Sequence, residues 1–299
     1  MPIRIRNFRY PAIMEVNLVN WHSNHIFIHD MSEHDRFLQQ VVRGIVDDTH
    51  VSSFFFIRYW QGGPHIRFRF QSEHAIDVIS ELKQRCRAFF RDYQPSFTLE
   101  REAFYNRQLF DGTAPDDAEL YWVEDRSIKE IPYEPELERY GGEDVMAESE
   151  AIFHQSSLLA LKHLEGIAGP AIPKRLLLAC DFFIDMLRAL TEEEGHEFIR
   201  RYNAFWSRFD QGSINPEQRE RFRTLYWKQR AMGGQSGFLE LDRISRIVEG
   251  INGKGKRHLL PYLIFSHIHM YNNRIGLPPN LESTVAMIAG SEKEGAVAK

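Results

Sequence analysis

The sequence predicts an α+β fold in which an antiparallel, β-rich N-terminal half packs against a mainly α-helical C-terminal half. Two observations lead to this prediction. Strand-like stretches and a hairpin signal precede residue 140, whereas segments with helical spacing follow it. Strands that come first and helices that come afterwards are typical of α+β proteins. We expect one domain over residues 1–299, β-rich at about 1–140 and helical at about 141–292.

The composition limits the class of protein. Hydrophobic residues make up 43% of the 299 positions, which is enough for a large core. A formal net charge of −5 argues against an extended nucleic-acid interface. The two cysteines, Cys86 and Cys180, lack metal-ligand spacing, which fits a reducing compartment. Because neither a signal peptide nor a transmembrane segment is evident, we expect a cytoplasmic protein with no membrane or direct nucleic-acid partner.

The first predicted element of the N-terminal half is a strand at residues 13–30, with a polar break at Trp21–Asn24. Ser32 is suited to cap a helix that follows. A second helix is predicted at about Glu73 to Arg91, where apolar residues recur at helical spacing. The segment Ser96–Glu102, SFTLERE, is predicted as a further strand.

The strongest local signal is the stretch Phe54–Phe70, which reads FFFIRYWQGGPHIRFRF. Two runs rich in aromatic and β-branched residues flank Gln61–Pro64, and this pattern predicts a hairpin. A four-residue loop would place Arg58 opposite Arg67. Side chains alternate between the two faces of a strand, so the register decides which residues share a face.

With that register, Arg58, His65, Arg67 and Arg69 share one face of the hairpin. Like charges that lie opposite each other destabilise a sheet, and guanidinium groups suit bidentate binding of carboxylate or phosphate. We therefore expect an anion at this face. A protein carboxylate, a phosphate and a substrate carboxylate all satisfy the pattern.

A second candidate segment is Tyr133–Gly142, which reads YEPELERYGG. Two glycines directly before a helix allow close approach of the backbone, and a helix N-terminus favours an anion. Glu136 and Arg139 lie close to this turn in sequence. By itself the segment also fits an ordinary loop with exposed charges.

Six helices are predicted in the C-terminal half, separated by segments rich in glycine and proline. They span about 143–165, 172–191, 193–209, 216–229, 238–250 and 258–276.

The last of these helices contains two histidines in the segment PYLIFSHIHMYNNRIG. Successive helical residues turn by about 100°, so His267 and His269 lie on different faces. His267 falls on the apolar stripe with Arg274, whereas His269 falls with Asn272 and Asn273. Core packing and a functional role both fit a histidine on a buried helix, and the spacing leaves the choice open.

Known cofactor-binding motifs are absent from the sequence. There is no P-loop and no dinucleotide fingerprint. The histidines near the N-terminus lack recognisable metal-ligand spacing or partner cysteines. These are His22, His25, His29 and His34. We therefore expect neither a metal nor another cofactor.

Three segments taken together resemble the C-terminal domain of lantibiotic dehydratases, a family that includes stand-alone thiopeptide-type bacteriocin biosynthesis proteins. The segments are FFIRYWQGGPHIRFRF, ELERYGGEDVMAESEAIF and SHIHMYNNRIG, in this order over residues 15–280. One departure occurs after Phe153, where Ser156 stands in place of an aspartate that is common in the family.

The resemblance implies elimination of glutamate from glutamylated Ser or Thr of a ribosomally made precursor peptide, which leaves dehydroalanine or dehydrobutyrine. A separate protein would use glutamyl-tRNA to glutamylate the peptide, and this chain would be half of a split dehydratase. A homo-oligomer is compatible with the sequence. The implied catalytic residues are Arg67, Arg69, Glu136, Arg139 and His269. Candidate substrate-binding residues in the same motifs are Arg58, His65, Asn273 and Arg274.

Two other functions fit the sequence. Stand-alone relatives include thiopeptide pyridine synthases, which join two dehydroalanines in a formal cycloaddition. A non-catalytic subunit that binds the precursor peptide along a sheet edge is the third alternative. Retention of the five implied catalytic residues favours elimination.

Overall fold

The computed structural model describes residues 20–106, 120–167, 169, 171–210, 212, 214–232 and 239–290. In its N-terminal half, four strands form an antiparallel sheet in the order β2-β3-β1-β4. The strands are β1 Trp21–Phe27, β2 Ser53–Tyr59, β3 His65–Gln71 and β4 Ile128–Glu130. The fold class predicted from the sequence is confirmed.

Three α-helices lie in the described part of the N-terminal half. Helix α1, residues 34–48, contains a π-helical segment at Leu38–Val42. Helix α2 is Ala75–Asp92 and the short α3 is Arg101–Tyr105. None of the helices in the described residues is both long and apolar enough to span a membrane.

Seven helices of the C-terminal half follow within the described residues. They are α4 Glu143–Glu165, α5 Ile172–Leu187, α6 Glu192–Trp206, α7 Pro216–Ala231, α8 Leu239–Gly253, α9 Leu260–Arg274 and α10 Glu282–Gly290. The six predicted helices are confirmed with shifts at their ends. For example, α5 stops earlier than expected because Thr191 forms a capping box that begins α6.

The hydrophobic core joins the sheet to both sets of helices. On one sheet face, Phe54, Phe56, Ile66, Phe68 and Phe70 are almost completely buried. They belong to the same core as the apolar residues of α1, α2, α4 and α9. Because these five side chains are aromatic or β-branched, their burial supplies a large share of the stability of the fold.

The free edge of β2 is covered by the helical half. Asn273 of α9 closes it as another strand would: its Oδ1 accepts from Arg58 N at 2.8 Å, and its Nδ2 donates to Arg58 O at 2.8 Å. Further N–H groups of this edge meet His154 and Ser157 of α4. Buried backbone groups need partners, so these side chains fix α4 and α9 against the sheet.

The register predicted for the hairpin is wrong by one residue. The loop has five residues, 60–64, so Arg58 pairs with Ile66 and Ile57 pairs with Arg67. Gly62 and Gly63 both have positive φ, which lets the loop take up the extra residue. A shift of one residue exchanges the faces of a strand. Arg58 therefore lies on the opposite face from Arg67.

Other local predictions also differ from the structure. The predicted break at residues 21–24 lies inside β1, where Ser23 and Asn24 are buried in a central strand. The part of that predicted strand before residue 20 lies outside the described residues. The strand predicted at 96–102 is wrong, since Arg101–Tyr105 is helical. Strand β4 and helix α10 were not predicted.

Candidate functional site

Arg67 projects from the sheet face opposite the apolar core and is held there by two neighbours. Its guanidinium carbon lies 3.4 Å from the ring centroid of Tyr59, a cation–π contact. Its Nε donates to His65 Nε2 at 3.2 Å, and His65 Nδ1 in turn donates to Gly63 O at 2.8 Å. His65 is fully buried, and burial lowers its pKa well below the usual range. The neutral imidazole thus orients Arg67.

Arg69 lies two residues further along β3 and points to the same side. Its guanidinium carbon is 4.6 Å from the ring centroid of Tyr133 and 5.3 Å from that of Phe55. The Nε atom is buried and has no hydrogen-bond partner among the described residues. Burial, and then the charge of Arg67, lower the pKa of Arg69 to about 10. Arg69 therefore stays charged at neutral pH.

The turn before α4 brings a further ion pair to this side. Gly141 and Gly142 both have positive φ, and Gly142 N donates to Leu137 O at 2.8 Å, which closes the turn. Arg139 Nη1 lies 3.4 Å from Glu136 Oε2, and both side chains are partly exposed. The charge of Glu136 acts on Arg67 and Arg69. The structure thus brings Arg67, Arg69, Glu136 and Arg139 together.

Arg274 lies beneath this group at the end of α9. It is 1% exposed, and its Nε donates to Ser157 Oγ at 3.0 Å. Its Nη1 has no partner among the described residues, and no carboxylate pairs with it there. Burial lowers the pKa of Arg274 to about 10, and the charge of Arg69 contributes. The structure therefore adds an enclosed cation to the arginines of β3.

His267 faces this arginine group. Its ring centroid lies 5.4 Å from both Tyr140 and Phe153. Both ring nitrogens are buried without a hydrogen-bond partner in the described chain. Burial, followed by the charges of Arg274 and Arg139, lowers the pKa of His267 to about 3. The imidazole is neutral, with two unused nitrogens beside the cations.

His269 lies on a different face of α9, as the helical spacing predicted. Its Nδ1 is 2.6 Å from Glu282 Oε1, and its ring stacks on Trp206 at 4.6 Å. Glu282 also accepts from Asn272 Nδ2 at 2.9 Å and from the hydroxyl of Tyr202. The structure therefore places His269 in a buried network between α6, α9 and α10, separate from the arginines.

Arg58 and Asn273 also lie apart from the arginine group. Arg58 Nη2 donates to Asp35 Oδ1 at 2.6 Å, and its Nε donates to Arg274 O at 3.2 Å. Asn273 uses both ends of its amide on the backbone of Arg58. Four of the candidate residues, Arg67, Glu136, Arg139 and Arg274, thus lie around Arg69, and His65 holds Arg67. Arg58, Asn273 and His269 belong to other surroundings.

Sequence reasoning missed three members of the site, namely Tyr140, Glu150 and His267 as a neighbour of the arginines. Glu150 accepts from Trp21 Nε1 at 3.0 Å, and burial raises its pKa. Tyr140 is 3% exposed, and burial raises its pKa to about 12. The helical stripe shared by His267 and Arg274 was the signal that pointed to this histidine.

The charge balance defines what the site can bind. Four guanidinium groups lie near two carboxylates, those of Glu136 and Glu150. Of these two, Glu136 is largely exposed. The four are Arg67, Arg69, Arg139 and Arg274. No group of three or more His, Cys, Asp or Glu residues within the described chain is arranged to hold a metal ion. The surplus of cations, partly withdrawn from water, suits a ligand with one or more carboxylates.

Comparisons with solved structures show the same fold in three proteins. A pyridine synthase from thiomuracin biosynthesis, TbtD, has a TM-score of 0.61 at 17% identity, covering 91% of this chain and 97% of TbtD. TsrL has a TM-score of 0.60 at 15% identity, covering 93% and 95%. The tRNA-dependent lantibiotic dehydratase MibB from Microbispora sp. 107891 has a TM-score of 0.61 at 15% identity.

The match spans nearly all of TbtD and TsrL but only part of MibB. The match covers 93% of this chain but only 28% of MibB. At these identities the likeness shows the fold alone. No curated protein matches the sequence. The profile of the family described as "Lantibiotic biosynthesis dehydratase C-term" matches residues 21–291. The chain therefore belongs to the lantibiotic biosynthesis dehydratase C-terminal family.

Proposed function

We propose that the chain is a lyase that eliminates glutamate from glutamylated Ser or Thr of a ribosomally made peptide. In this reaction a base removes the Cα proton of the modified residue. The electron pair forms the Cα=Cβ double bond, and the Cβ–O bond breaks. Glutamate leaves as a carboxylate, and dehydroalanine or dehydrobutyrine remains in the peptide.

The surplus of guanidinium groups at the arginine face is the observation that carries this proposal. A glutamyl ester presents a free carboxylate before the reaction and a second one as the bond breaks. Arg67 and Arg69, held by aromatic rings and by His65, suit these two anions. Charges fixed in advance stabilise a developing anion most where water is scarce. Arg139 and Arg274 add to the positive potential.

Proton transfer is assigned to the neutral imidazole of His267. Its two nitrogens have no partner in the described chain and lie beside the arginine group. A neutral imidazole has a free electron pair that can accept the Cα proton, while glutamate leaves as a carboxylate. The family resemblance points instead to His269, and Glu136 is a second candidate base. For His269 we propose the role of fixing α9 to α10 through Glu282.

The proposal implies a partner. In MibB, a protein more than three times as long as the matched region, the corresponding fold covers 28% of the chain. We propose that a separate glutamyl-tRNA-dependent protein supplies the glutamylated peptide to this chain. The substrate is then a peptide, and RNA need not touch the arginine face.

Cycloaddition as in a pyridine synthase is the second candidate function. It is favoured by the end-to-end match with TbtD, which covers 97% of that protein. The arginine group distinguishes the two candidates chemically, because two dehydroalanine side chains carry no carboxylate for it to bind.

The test is mass spectrometry of two peptides incubated with the purified protein. One carries a glutamyl ester on Ser, and the other carries dehydroalanines in place of the serines. We expect loss of glutamate from the first peptide and no change in the second. Cyclisation of the second peptide without glutamate release from the first would overturn the proposal in favour of cycloaddition. No change in either would leave the chain as a binding subunit and would contradict a lyase.

A further inference from the structure

A cleft of about 280 Å³ opens next to the arginine face. It lies at the end of β2, between the hairpin loop, α3 and the segment after α9. Its walls are mainly apolar and aromatic, and include Trp60, Phe104, Leu277 and Pro278. A pocket of this kind, concave and apolar with few polar groups, is typical of a ligand site.

Arg58 is the one permanently charged residue among those that line the cleft. Its Nε and Nη2 donate to Arg274 O and Asp35 Oδ1. The remaining nitrogen, Nη1, makes no hydrogen bond with any part of the chain that the structure describes. A guanidinium can donate five hydrogen bonds, so donors remain for a ligand.

The group beneath the cleft carries a net positive charge. Asp35 is shared by two guanidinium groups, those of Arg58 and Arg175. His34 also lines the cleft, but burial lowers its pKa to about 4, and its Nε2 donates to Ile28 O at 2.8 Å. His34 is therefore neutral at pH 7. One carboxylate against two guanidiniums leaves one positive charge, and a carboxylate in the cleft would balance it.

We propose that this cleft binds the C-terminal residue of a peptide, with its α-carboxylate on Arg58 and its apolar side chain against the walls. A C-terminal residue carries a carboxylate and a side chain on the same carbon atom, which fits a single cation surrounded by apolar walls. A glutamate side chain ends in its carboxylate and has no apolar group beside it to cover Trp60 and Phe104. The terminal residue is therefore the better match.

The cleft adjoins the arginine face at one side chain. Tyr59 lines the cleft, and the guanidinium of Arg67 lies over its ring. A peptide whose C-terminus sits in the cleft would thus have upstream residues next to Arg67. In naming a peptide as the occupant, this inference rests on the proposed function, but peptide binding can be measured without glutamate release.

The experiment is isothermal titration calorimetry with three synthetic peptides. They are acetyl-Gly-Ser-Leu-Phe as the free acid, the same peptide as the C-terminal amide, and acetyl-Gly-Glu-Leu-Phe amide. We expect the free acid to bind at least about tenfold more tightly than either amide, since a hydrogen bond between charged groups is lost in the amides. Equal binding of the free acid and its amide, or equal binding of the glutamate-containing amide, would overturn the proposal.

Two variants tie binding to the cleft. Arg58→Gln should bring the affinity for the acid down to that for the amide. Because Arg58 also holds Asp35, its folding is checked by circular dichroism, and Met31→Glu serves as a second variant. Met31 lines the cleft and is 58% exposed, so a carboxylate there is tolerated by the fold and should repel the acid selectively. Met31→Leu is the matched control.

Retention of tight acid binding in Met31→Glu would contradict the assignment whatever the fate of Arg58→Gln. The titration contains no glutamylated peptide, so its result is independent of lyase activity. Glutamate release without acid-selective binding would overturn this inference alone. Acid-selective binding without glutamate release would overturn the proposed function alone.

Discussion

The imidazole of His269 lies against the carboxylate of Glu282, with 2.6 Å between Nδ1 and Oε1, and both side chains are buried. This pair joins α9 to α10 inside the protein. Because the carboxylate also accepts from Asn272 and Tyr202, three helices converge on one acidic side chain. A buried network of this kind is costly to disrupt, since removal of one member leaves the others without partners.

The first prediction concerns this network. Glu282→Ala should lower the free energy of unfolding by about 3–5 kcal/mol, because it leaves His269, Asn272 and Tyr202 with unpaired polar atoms. Urea denaturation followed by circular dichroism measures the change. Glu249→Ala, at an exposed position of α8, is the control and should stay within about 0.5 kcal/mol. Equal effects of the two substitutions would contradict a structural role for Glu282.

The second prediction separates the two histidines of α9. His267→Phe should keep the free energy of unfolding within about 1.5 kcal/mol, since an aromatic ring still packs on Tyr140 and Phe153. Glutamate release should nevertheless fall by about 100-fold or more, the usual contribution of a general acid–base group. His269→Phe should instead lose stability through Glu282. Single-turnover glutamate release and urea denaturation, measured on both variants, make the comparison.

If His267→Phe retains full turnover while His269→Phe folds normally and is inactive, the assignment of the two residues is reversed. Such a result would support the role that the family resemblance gives to His269.

Part of the site was predictable from the sequence because strand periodicity is simple. Arg67 and Arg69 lie two residues apart, so any register places them on one face, and the structure does so. Arg58 lies across the loop, and its face depends on whether the loop has four or five residues. The positive φ angles of Gly62 and Gly63 allow the five-residue loop. The sequence Gln61–Pro64 by itself fits both loop lengths.

The residues that contact each histidine could not be predicted from the sequence, because they come from distant elements. Helical spacing separated His267 from His269, but the partner of His269 lies in α10, a helix that the sequence did not indicate. The partners of His267 come from the turn before α4 and from α4 itself. Which helix faces meet is determined by packing of distant elements, so a single sequence carries little information about it.

The third prediction concerns the arginine face. Arg69→Gln should reduce glutamate release by about 100-fold or more, because one fixed donor to the developing anion is lost. Free glutamate should inhibit the unsubstituted protein more strongly than this variant, since the same cation would hold the product. Steady-state kinetics with added glutamate measures both effects.

Arg246→Gln, at an exposed position of α8, is the matched control and removes the same charge elsewhere. Identical inhibition of all three proteins by glutamate would contradict the assignment of Arg69 to the leaving group. A large activity loss in the control would mean that overall charge, and not the arginine face, governs the reaction.

The fourth prediction follows from the buried histidines. The pKa values of His25, His34 and His267 are lowered to about 3, 4 and 3, first of all by burial. In the unfolded chain they return to about 6.5. Between these values the unfolded state binds more protons than the folded state, so protons favour unfolding as the pH falls below 6.5. Stability is fully present above pH 6.5 and is lost progressively toward pH 4.

We therefore expect the free energy of unfolding to fall between pH 6.5 and pH 5, by up to about 1.4 kcal/mol per pH unit for each buried histidine. Urea denaturation at closely spaced pH values gives the slope. His267→Phe should make the slope shallower, because one proton fewer is taken up on unfolding. His196→Gln removes an exposed histidine and should leave the slope unchanged. A slope that is the same in His267→Phe as in the unsubstituted protein would mean that His267 is already protonated in the fold. The neutral imidazole required for proton transfer beside Arg274 would then be excluded.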